Sequence, residues 1–241
     1  MRYVPVKTVE QQAILSVHRA RAGFVKARTA QANQIRGLLA EFGIVISQGI
    51  HSITKRIPEI LEDGDNGLPR TMRSLLYRLT NNLKQMDGQV EELEKEIQLW
   101  HREHEASRRL GEIPGVGPIT ASAIVATVGR AGEFKNGRQL SAWMGLVPRQ
   151  HSTGGKPTLL GISKRGDTYL RTLLIHGARS VVHHLKRRPE GGNGWLHRLI
   201  ARRNTNVAIV ALANKNARTI WALLANDRTF RSDYMAAAQS Q

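Results

Sequence analysis

The sequence contains no cysteine, which excludes disulfide bonds and thiolate metal sites. It also lacks a long apolar run: the longest, AIVATVG and VAIVALA, fall far short of the ~20 residues that a membrane-spanning helix needs. The first residues do not resemble a secretion signal. We therefore expect a protein of a bacterial-type cytoplasm without a membrane partner.

Acidic residues are scarce relative to basic ones. The 241 residues include 36 Lys and Arg against 19 Asp and Glu, a formal net charge of +17. This excess favours a polyanionic partner over a neutral small molecule, and nucleic acid is the leading candidate. Between Lys135 and Arg203 there are fourteen basic residues and two acids. We therefore expect one face of the molecule to carry most of the contact.

The N-terminal part predicts a short strand followed by a long helix. YVPVK at 3–7 is typical of a strand, and Thr8 and Gln11 have the spacing of a capping box, in which each side chain bonds the other residue's backbone N–H. The helix is expected to stop at Gly43. One strand and one helix cannot bury themselves, so we expect 1–43 to be the end of a domain whose earlier strands are missing or come from a partner.

Segment 44–109 predicts a connector followed by a coiled coil. Its first part, 44–70, is rich in glycine and proline and is expected to be a loop-rich connector. Apolar residues then recur at spacings of four and three, which is a heptad pattern. These residues are Leu79, Leu83, Met86, Val90, Leu93, Ile97 and Trp100. The pattern predicts a coiled-coil arm or a dimer contact; one helix packed on its own domain is the alternative.

Segment 110–230 predicts a compact helical domain that begins with a turn between two helices. In LGEIPGVGPITASAIVATVG, the turn PGVG separates an apolar helix end from a second apolar helix. This resembles the helix-hairpin-helix motif, in which Gly115 and Gly117 would let backbone N–H groups approach a DNA phosphate. A plain helical hairpin with a glycine turn is the alternative.

A later helix, at 167–187, combines an apolar stripe with a basic face. The stripe consists of Leu170, Leu174, Val181 and Leu185. The basic face consists of His176, Arg179, His183, Lys186 and Arg187. That face either lies along a phosphate backbone or is simply solvated. The last helix, at about 206–224, is expected to serve packing alone, and 231–241 is a tail.

The stretch WMGLVPRQHSTGGKPTLLGISKRGDTYLR, at 143–171, reads as a basic loop with two hydroxyls, those of Ser152 and Thr153. A hydroxyl becomes a nucleophile only when a base, a metal or a positive field stabilises its alkoxide. His151 is a possible base, although a lone adjacent histidine is more often structural. The residues expected to contact phosphate are Arg149, Gly154, Gly155, Lys156, Lys164, Arg165, Arg171 and Arg179. A phosphate-contacting loop without catalysis is the alternative, and the glycine spacing is not that of a P-loop.

Several of these stretches together resemble one known family. IPGVGPITA, WMGLVPRQHSTGGK and LLGISKRGDTYLRTLLIHGAR, preceded by the heptad pattern, are similar to the C-terminal half of the IS110 insertion-sequence transposases, especially the IS1111 subgroup. VPVKTVEQQAILSVHRARAGFVKARTAQANQIRGLLAEFG resembles the segment that closes the family's N-terminal catalytic domain. The resemblance covers nearly the whole chain and is weakest in the connector and after about Arg228.

The resemblance implies DNA recombination. Family members combine a RuvC-like domain bearing four metal-binding acids, a coiled coil, and a C-terminal domain with a nucleophilic serine. They cut and rejoin DNA through a phosphoserine link, a bridge RNA selects donor and target, and active sites form between subunits of dimers and tetramers. By position the nucleophile is Ser152, and a one-residue shift of the alignment would make it Thr153. The implied partners are DNA, a guide RNA and a second copy joined through the coiled coil, in the bacterial nucleoid.

The sequence departs from the family at one point. The four acids precede the VPVK strand, where this sequence begins, so 1–43 is expected to be the remnant of a RuvC-like domain. No metal ligand is assigned in the chain, and Mg²⁺ is expected in the missing domain. The expected fold is mainly α: a remnant strand and long helix, a coiled-coil arm and a compact helical domain. The expected function is that of a transposase inactive by itself; the alternatives are a non-catalytic helix-hairpin-helix DNA-binding protein or repressor, and a coiled-coil scaffold.

Overall fold

The fold is mainly α, as predicted. The computed structural model describes residues 6–153, 156–187 and 194–231. Its elements in chain order are α1 (Val9–Ala40), α2 (Ile50–Glu62), α3 (Arg70–Glu103), α4 (Glu105–Gly111), α5 (Pro118–Val128), a 3₁₀ turn (Ala131–Glu133), α6 (Gly137–Trp143), β1 (Pro148–Thr153), β2 (Lys156–Ile162), α7 (Thr168–Arg187), α8 (Trp195–Arg202) and α9 (Thr205–Ala225). None of the helices in these ranges is long and apolar enough to cross a membrane.

The chain divides into two compact units. The first unit contains Ser16–Glu96, and the second unit contains Met1–Leu15 together with Ile97–Gln241. The long helices α1 and α3 run from one unit into the other. The domain limits expected from the sequence, at 43 and 109, remain predictions.

The predicted capping box at the start of α1 is confirmed. The Gln11 backbone N–H donates to Thr8 Oγ1 over 3.1 Å, and the Thr8 N–H donates to Gln11 Oε1 over 3.0 Å. Residues 3–5 of the predicted strand lie outside the described residues, and Val6 and Lys7 are not in a strand. The helix ends as the sequence predicts, with the Gly43 and Ile44 N–H groups bonded back to the last turn.

The connector contains a helix that was not predicted, the 13-residue α2. Ile53, Ile57 and Ile60 lie on one face of α2 and are buried in the core of the first unit. Burial of these side chains outweighs the backbone hydrogen bond that Pro58, inside the helix, removes. The glycine and proline content suggested a loop, whereas the isoleucine spacing was the stronger signal.

The heptad pattern lies on α3, and its two rows differ in burial. Leu83, Val90 and Ile97 are buried within the chain. The alternating row, Leu79, Met86, Leu93 and Trp100, is half-buried. Within the first unit α3 runs antiparallel to α1, because Arg21 pairs with Glu94 and Arg28 pairs with Asp87. The buried row therefore helps to build a helical pair within one chain, and a seam between chains remains a prediction.

The second unit is a helical core around α7 and α9. The buried side chains of α7 are spaced by four: Leu170, Leu174, Ala178 and Val182. The predicted stripe was correct at its first two positions, whereas Val181 and Leu185 are only half-buried. α9 packs on α7, α6 and α4, and the Asn204 side chain caps it by accepting from the Asn206 N–H. The last helix thus has the extent that the sequence predicts.

Candidate catalytic hairpin and nucleic-acid interface

The stretch that carries Ser152 is a β-hairpin, so its prediction as a loop is wrong. β1 and β2 pair antiparallel, with Ser152 opposite Pro157 and Thr153 opposite Lys156. The two residues between the strands, Gly154 and Gly155, were predicted to contact phosphate and lie outside the described residues. Two glycines between strand-forming segments are a hairpin signal, which the high basic charge of the stretch obscured.

The hairpin presents Ser152 to solvent. Gln150 lies two residues earlier on the same face of β1, and its Nε2 donates to Ser152 Oγ over 2.9 Å. His151 is also exposed but points to the opposite face, so it is not placed as a base for Ser152. The side chains of Thr153 and Lys156, the alternative nucleophile and a predicted phosphate contact, lie outside the described residues.

Four consecutive backbone carbonyls fix the segment that enters the hairpin. Each accepts a hydrogen bond of 2.8–3.1 Å from a different donor. The pairs are Met144 with Arg171 Nη1, Gly145 with the Lys164 N–H, Leu146 with Asn214 Nδ2, and Val147 with the Ser163 N–H. The root of the hairpin is therefore held by α7, by α9 and by the chain that leaves the hairpin at 163–164.

The outgoing chain crosses the incoming one closely at this root. Gly166 has φ 98°, and a Cβ atom there would lie 1.8 Å from the Trp143 carbonyl oxygen, so only glycine fits. Lys164 also has a positive φ, of 54°, and is exposed together with Arg165. These two predicted phosphate contacts thus lie at the accessible base of the hairpin.

Arg171 does not lie on the surface, unlike the other predicted basic contacts whose side chains can be placed. Its side chain is 7% exposed, and besides Met144 O it bonds Thr168 Oγ1 through Nη2 over 3.1 Å. Arg171 therefore supports the root of the hairpin. Arg149 is exposed on β1, and Arg179 is exposed on α7 with His176, His183, Lys186 and Arg187. The basic face of α7 is accessible as predicted.

The two glycines of the PGVG turn have different environments. Gly115, with φ 87°, packs its backbone against Gly177 of α7, where an added Cβ would lie 2.9 Å from the Gly177 carbonyl carbon and oxygen. Gly117 caps α5 and has no other group within 4 Å of the position of a Cβ. Gly117 is therefore open to a ligand, whereas the position of Gly115 is explained by packing.

Sequence reasoning missed two asparagines of α9 that position these features. Asn214 Nδ2 donates to Leu146 O at the hairpin root, and Asn216, 2% exposed, donates to Pro114 O in the PGVG turn over 2.9 Å. One helix thus holds both candidate contacts with nucleic acid. Polar side chains within the apolar run VAIVALANKNA were the available signal, because a buried amide needs a partner.

A metal site with three or more side-chain ligands is not formed by the described residues. Within 6–153, 156–187 and 194–231, no three His, Asp or Glu side chains come close enough to hold a metal ion. In these ranges neither a carboxylate nor an imidazole is hydrogen-bonded to Ser152. The donor set of a four-acid centre is therefore not met by these residues.

Most of the chain is similar to known transposases. The pattern of the transposase IS116/IS110/IS902 family matches residues 107–192, which contain the PGVG turn, the hairpin and α7. A "Probable family 20 transposase" of Pseudomonas aeruginosa is 49% identical over 232 residues, covering 96% of this chain and 69% of the relative.

Two further relatives come from named insertion sequences. The "Transposase for insertion sequence element IS1111A" of Coxiella burnetii is 46% identical over 231 residues, covering 96% of this chain and 64% of the relative. The "Transposase for insertion sequence element IS1328" of Yersinia enterocolitica is 38% identical over 230 residues, covering 95% and 68%. The chain thus spans about two thirds of the length of the relatives it matches. It belongs to the IS116/IS110/IS902 family of transposases.

Proposed function

We propose that this chain takes part in the transposition of an insertion sequence, and that it binds DNA and cuts and rejoins it through Ser152. The observation that carries the proposal is an exposed serine on a hairpin whose root is fixed by four carbonyl hydrogen bonds. A fixed root positions the hydroxyl for attack on a phosphodiester. The similarity to relatives described as transposases supports the same function.

The proposed step is a transesterification. Ser152 Oγ attacks the phosphorus atom, an O–P bond to serine forms, the bond to the leaving DNA oxygen breaks, and that oxygen takes up a proton. Rejoining reverses the step with the hydroxyl of another DNA end. Exposed Arg149, Lys164 and Arg165 supply positive charge on or next to the hairpin, where charge builds up on the phosphoryl oxygens.

The proton acceptor comes from outside the described residues. Gln150 donates to Ser152 Oγ, which orients the hydroxyl but cannot remove its proton. We propose that carboxylates from another part of the polypeptide or from a second copy complete the site. The described residues do not form a cluster of three or more metal ligands, so the proposed step includes no metal ion held by them.

We also propose a guide RNA and a second copy of the chain as partners, and the bacterial nucleoid as the location. The charge of +17 fits a guide RNA as well as DNA, because Lys and Arg neutralise the phosphates of both. The half-buried row of α3 would suit association through a coiled coil. Action on genomic DNA would place the protein in the bacterial nucleoid.

The test is excision of a plasmid-borne element, with a RuvC-like acid-bearing domain supplied on the same polypeptide or separately. Ser152→Ala is expected to abolish excision, whereas Thr153→Ala is expected to retain it. Ser180→Ala, an exposed serine of α7, serves as the matched control. Loss of excision in Thr153→Ala alone would identify Thr153 as the nucleophile. Normal excision by both single variants and by the double variant would exclude a nucleophile at this hairpin.

A non-catalytic DNA-binding role is the second candidate, and the open position of Gly117 favours it. The Gly117 backbone is extended, at φ −85° and ψ 179°, so a larger side chain fits without strain. Gly117→Leu would block a phosphate at the start of α5 and weaken DNA binding. If Gly117→Leu weakens binding and no Ser152-dependent excision is found with the acid-bearing domain present, this role is the better account.

A further inference from the structure

A separate cavity lies beside α9, outside the hairpin and the PGVG turn. Its volume is about 930 Å³, within the ~300–1,000 Å³ usual for ligand sites. One wall is a face of α9, a second is Trp195 at the start of α8, and a third is the chain after α9 up to Arg231. Apart from Asn214, which holds the hairpin root, none of the residues of this cavity has a role in the proposed transesterification.

Four of the five charged residues that line this cavity are cations. Lys215 and Arg218 come from α9, and Arg228 and Arg231 come from the chain after it. The acid of the lining, Asp227, is paired with Arg109 over 2.5 Å. Among the described residues, none of the four cations has a carboxylate partner. The cavity therefore holds excess positive charge suited to an anion.

The same cavity offers aromatic surface next to the charge. Lys215 Nζ lies 4.6 Å from the centroid of the Trp195 ring, and Phe230 also lines the cavity. Burial lowers the pKa of Lys215, and the neighbouring Arg218 lowers it further. A bound anion would relieve both effects, because it favours the charged form of the lysine.

We propose that this cavity binds one nucleotide of a single-stranded nucleic acid, with the phosphate on Lys215, Arg218 and Arg228 and the base against Trp195 and Phe230. An unstacked base and its phosphate match the adjoining aromatic and cationic walls. A duplex is excluded because its bases stay stacked and cannot reach the aromatic wall. The cavity also contains Asn214, whose side chain bonds Leu146 O, so the bound strand lies beside the segment that leads to Ser152.

The test is fluorescence anisotropy of the full chain with labelled dT₁₂ and rU₁₂ over a range of salt concentrations. The variant is Arg218→Gln with Arg228→Gln, two exposed positions at which Gln keeps the aliphatic stem. Loss of charge at this one phosphate is expected to reduce the salt slope by up to about 0.7 and the affinity at ~0.1 M salt by roughly fivefold. A second variant, Trp195→Leu, is expected to weaken binding at every salt concentration through lost stacking.

The matched control is Lys55→Gln with Lys84→Gln, which removes the same charge from exposed positions of α2 and α3. Weakened binding of either oligonucleotide by the cavity variants and not by the control supports the site, and the oligonucleotide more affected identifies DNA or RNA. Equal losses for cavity and control variants, or an equal loss for a 12-base-pair duplex, would overturn it. Excision by Ser152→Ala, measured separately, tests the nucleophile and does not decide this binding.

Discussion

Gly115 and Gly177 meet backbone to backbone, so that the PGVG turn lies directly on α7. A Cβ atom on Gly177 would be 1.7 Å from the Gly115 carbonyl oxygen. The turn therefore sits at a fixed distance from the helix that bears Arg179 and the other exposed basic residues. This contact explains why glycine is needed at a position in the middle of α7, where it otherwise costs helix stability.

Gly177→Ala is expected to destabilise the second unit by about 3 kcal/mol or more, because neither backbone can move without disturbing the core. The measurement is urea unfolding monitored by circular dichroism. The control is Gly37→Ala on the exposed side of α1, where nothing lies within 4 Å of an added Cβ. The control is expected to stabilise the protein by about 0.5–1 kcal/mol. Equal effects of the two substitutions would contradict the close contact.

Arg171 and Arg179 lie on the same helix and are predicted to respond differently to the same substitution. Arg171→Met should lower the free energy of unfolding by about 2–3 kcal/mol, because Met144 O loses its buried donor. Arg179→Met should change stability by less than about 0.5 kcal/mol, because its side chain is exposed.

The binding assay should show the opposite order. With duplex DNA, Arg179→Met is expected to reduce the salt slope by about 0.9, the value for one lost phosphate contact. Arg171→Met, tested under conditions where it stays folded, should keep the slope of the parent chain. A reduced slope for Arg171→Met would mean that the buried guanidinium reaches phosphate after all.

Local signals were read correctly from the sequence. The capping box of Thr8 and Gln11 and the stop at Gly43 depend on residues within one turn of each other, so a single sequence contains the whole interaction. The exposed basic face of α7 also follows from spacing alone. The apolar stripe was partly misplaced, because Ala178 is too small to stand out in a sequence yet is fully buried in the core of the second unit.

Interactions between distant residues were not predictable. Arg171 looked like the other basic residues, and its burial depends on the Met144 carbonyl 27 positions away. Asn214 is bonded to a carbonyl 68 positions away. The hairpin was missed because a strand of mixed polar residues, exposed on both faces, lacks the alternation of a half-buried strand. Even the apolar side chain of Leu159, on β2, is 67% exposed, so burial gives no signal for this strand either.

Asn214→Ala is predicted to loosen the hairpin root without unfolding the protein. Loss of the bond to Leu146 O removes one of the four bonds that fix 144–147. The amide protons of Ser163 and Lys164, which donate to the adjoining carbonyls, should then exchange roughly fivefold faster, as expected for a local loss of about 1 kcal/mol. Hydrogen exchange resolved by NMR measures this directly.

Asn216→Ala is the matched comparison, because it removes the same amide group from the same helix. Its bond goes to Pro114 O, so exchange should increase near the PGVG turn, for example at the Val116 amide, and not at Ser163. Uniformly faster exchange in both variants would indicate global destabilisation and contradict separate roles for the two asparagines.

His18 is predicted to make the protein less stable in acid. Its side chain is 1% exposed, and burial, assisted by the charge of Arg21, lowers its pKa from 6.5 to about 4. Between these values the unfolded chain binds a proton that the folded chain excludes, so acid favours unfolding. The contribution is complete above about pH 6.5 and is lost as the pH falls to about 4, a total of about 3 kcal/mol.

The measurement is urea unfolding at several pH values from 4 to 7 for the parent chain, His18→Gln and His51→Gln. Carboxylates also titrate in this range, so the informative quantity is the difference in slope between parent and variant. His18→Gln is expected to have a shallower dependence, by up to about 1.4 kcal/mol per pH unit, whatever its stability at pH 7. His51→Gln, at an exposed position, should keep the parent slope. A parent slope retained in His18→Gln would show that His18 is protonated equally in both states.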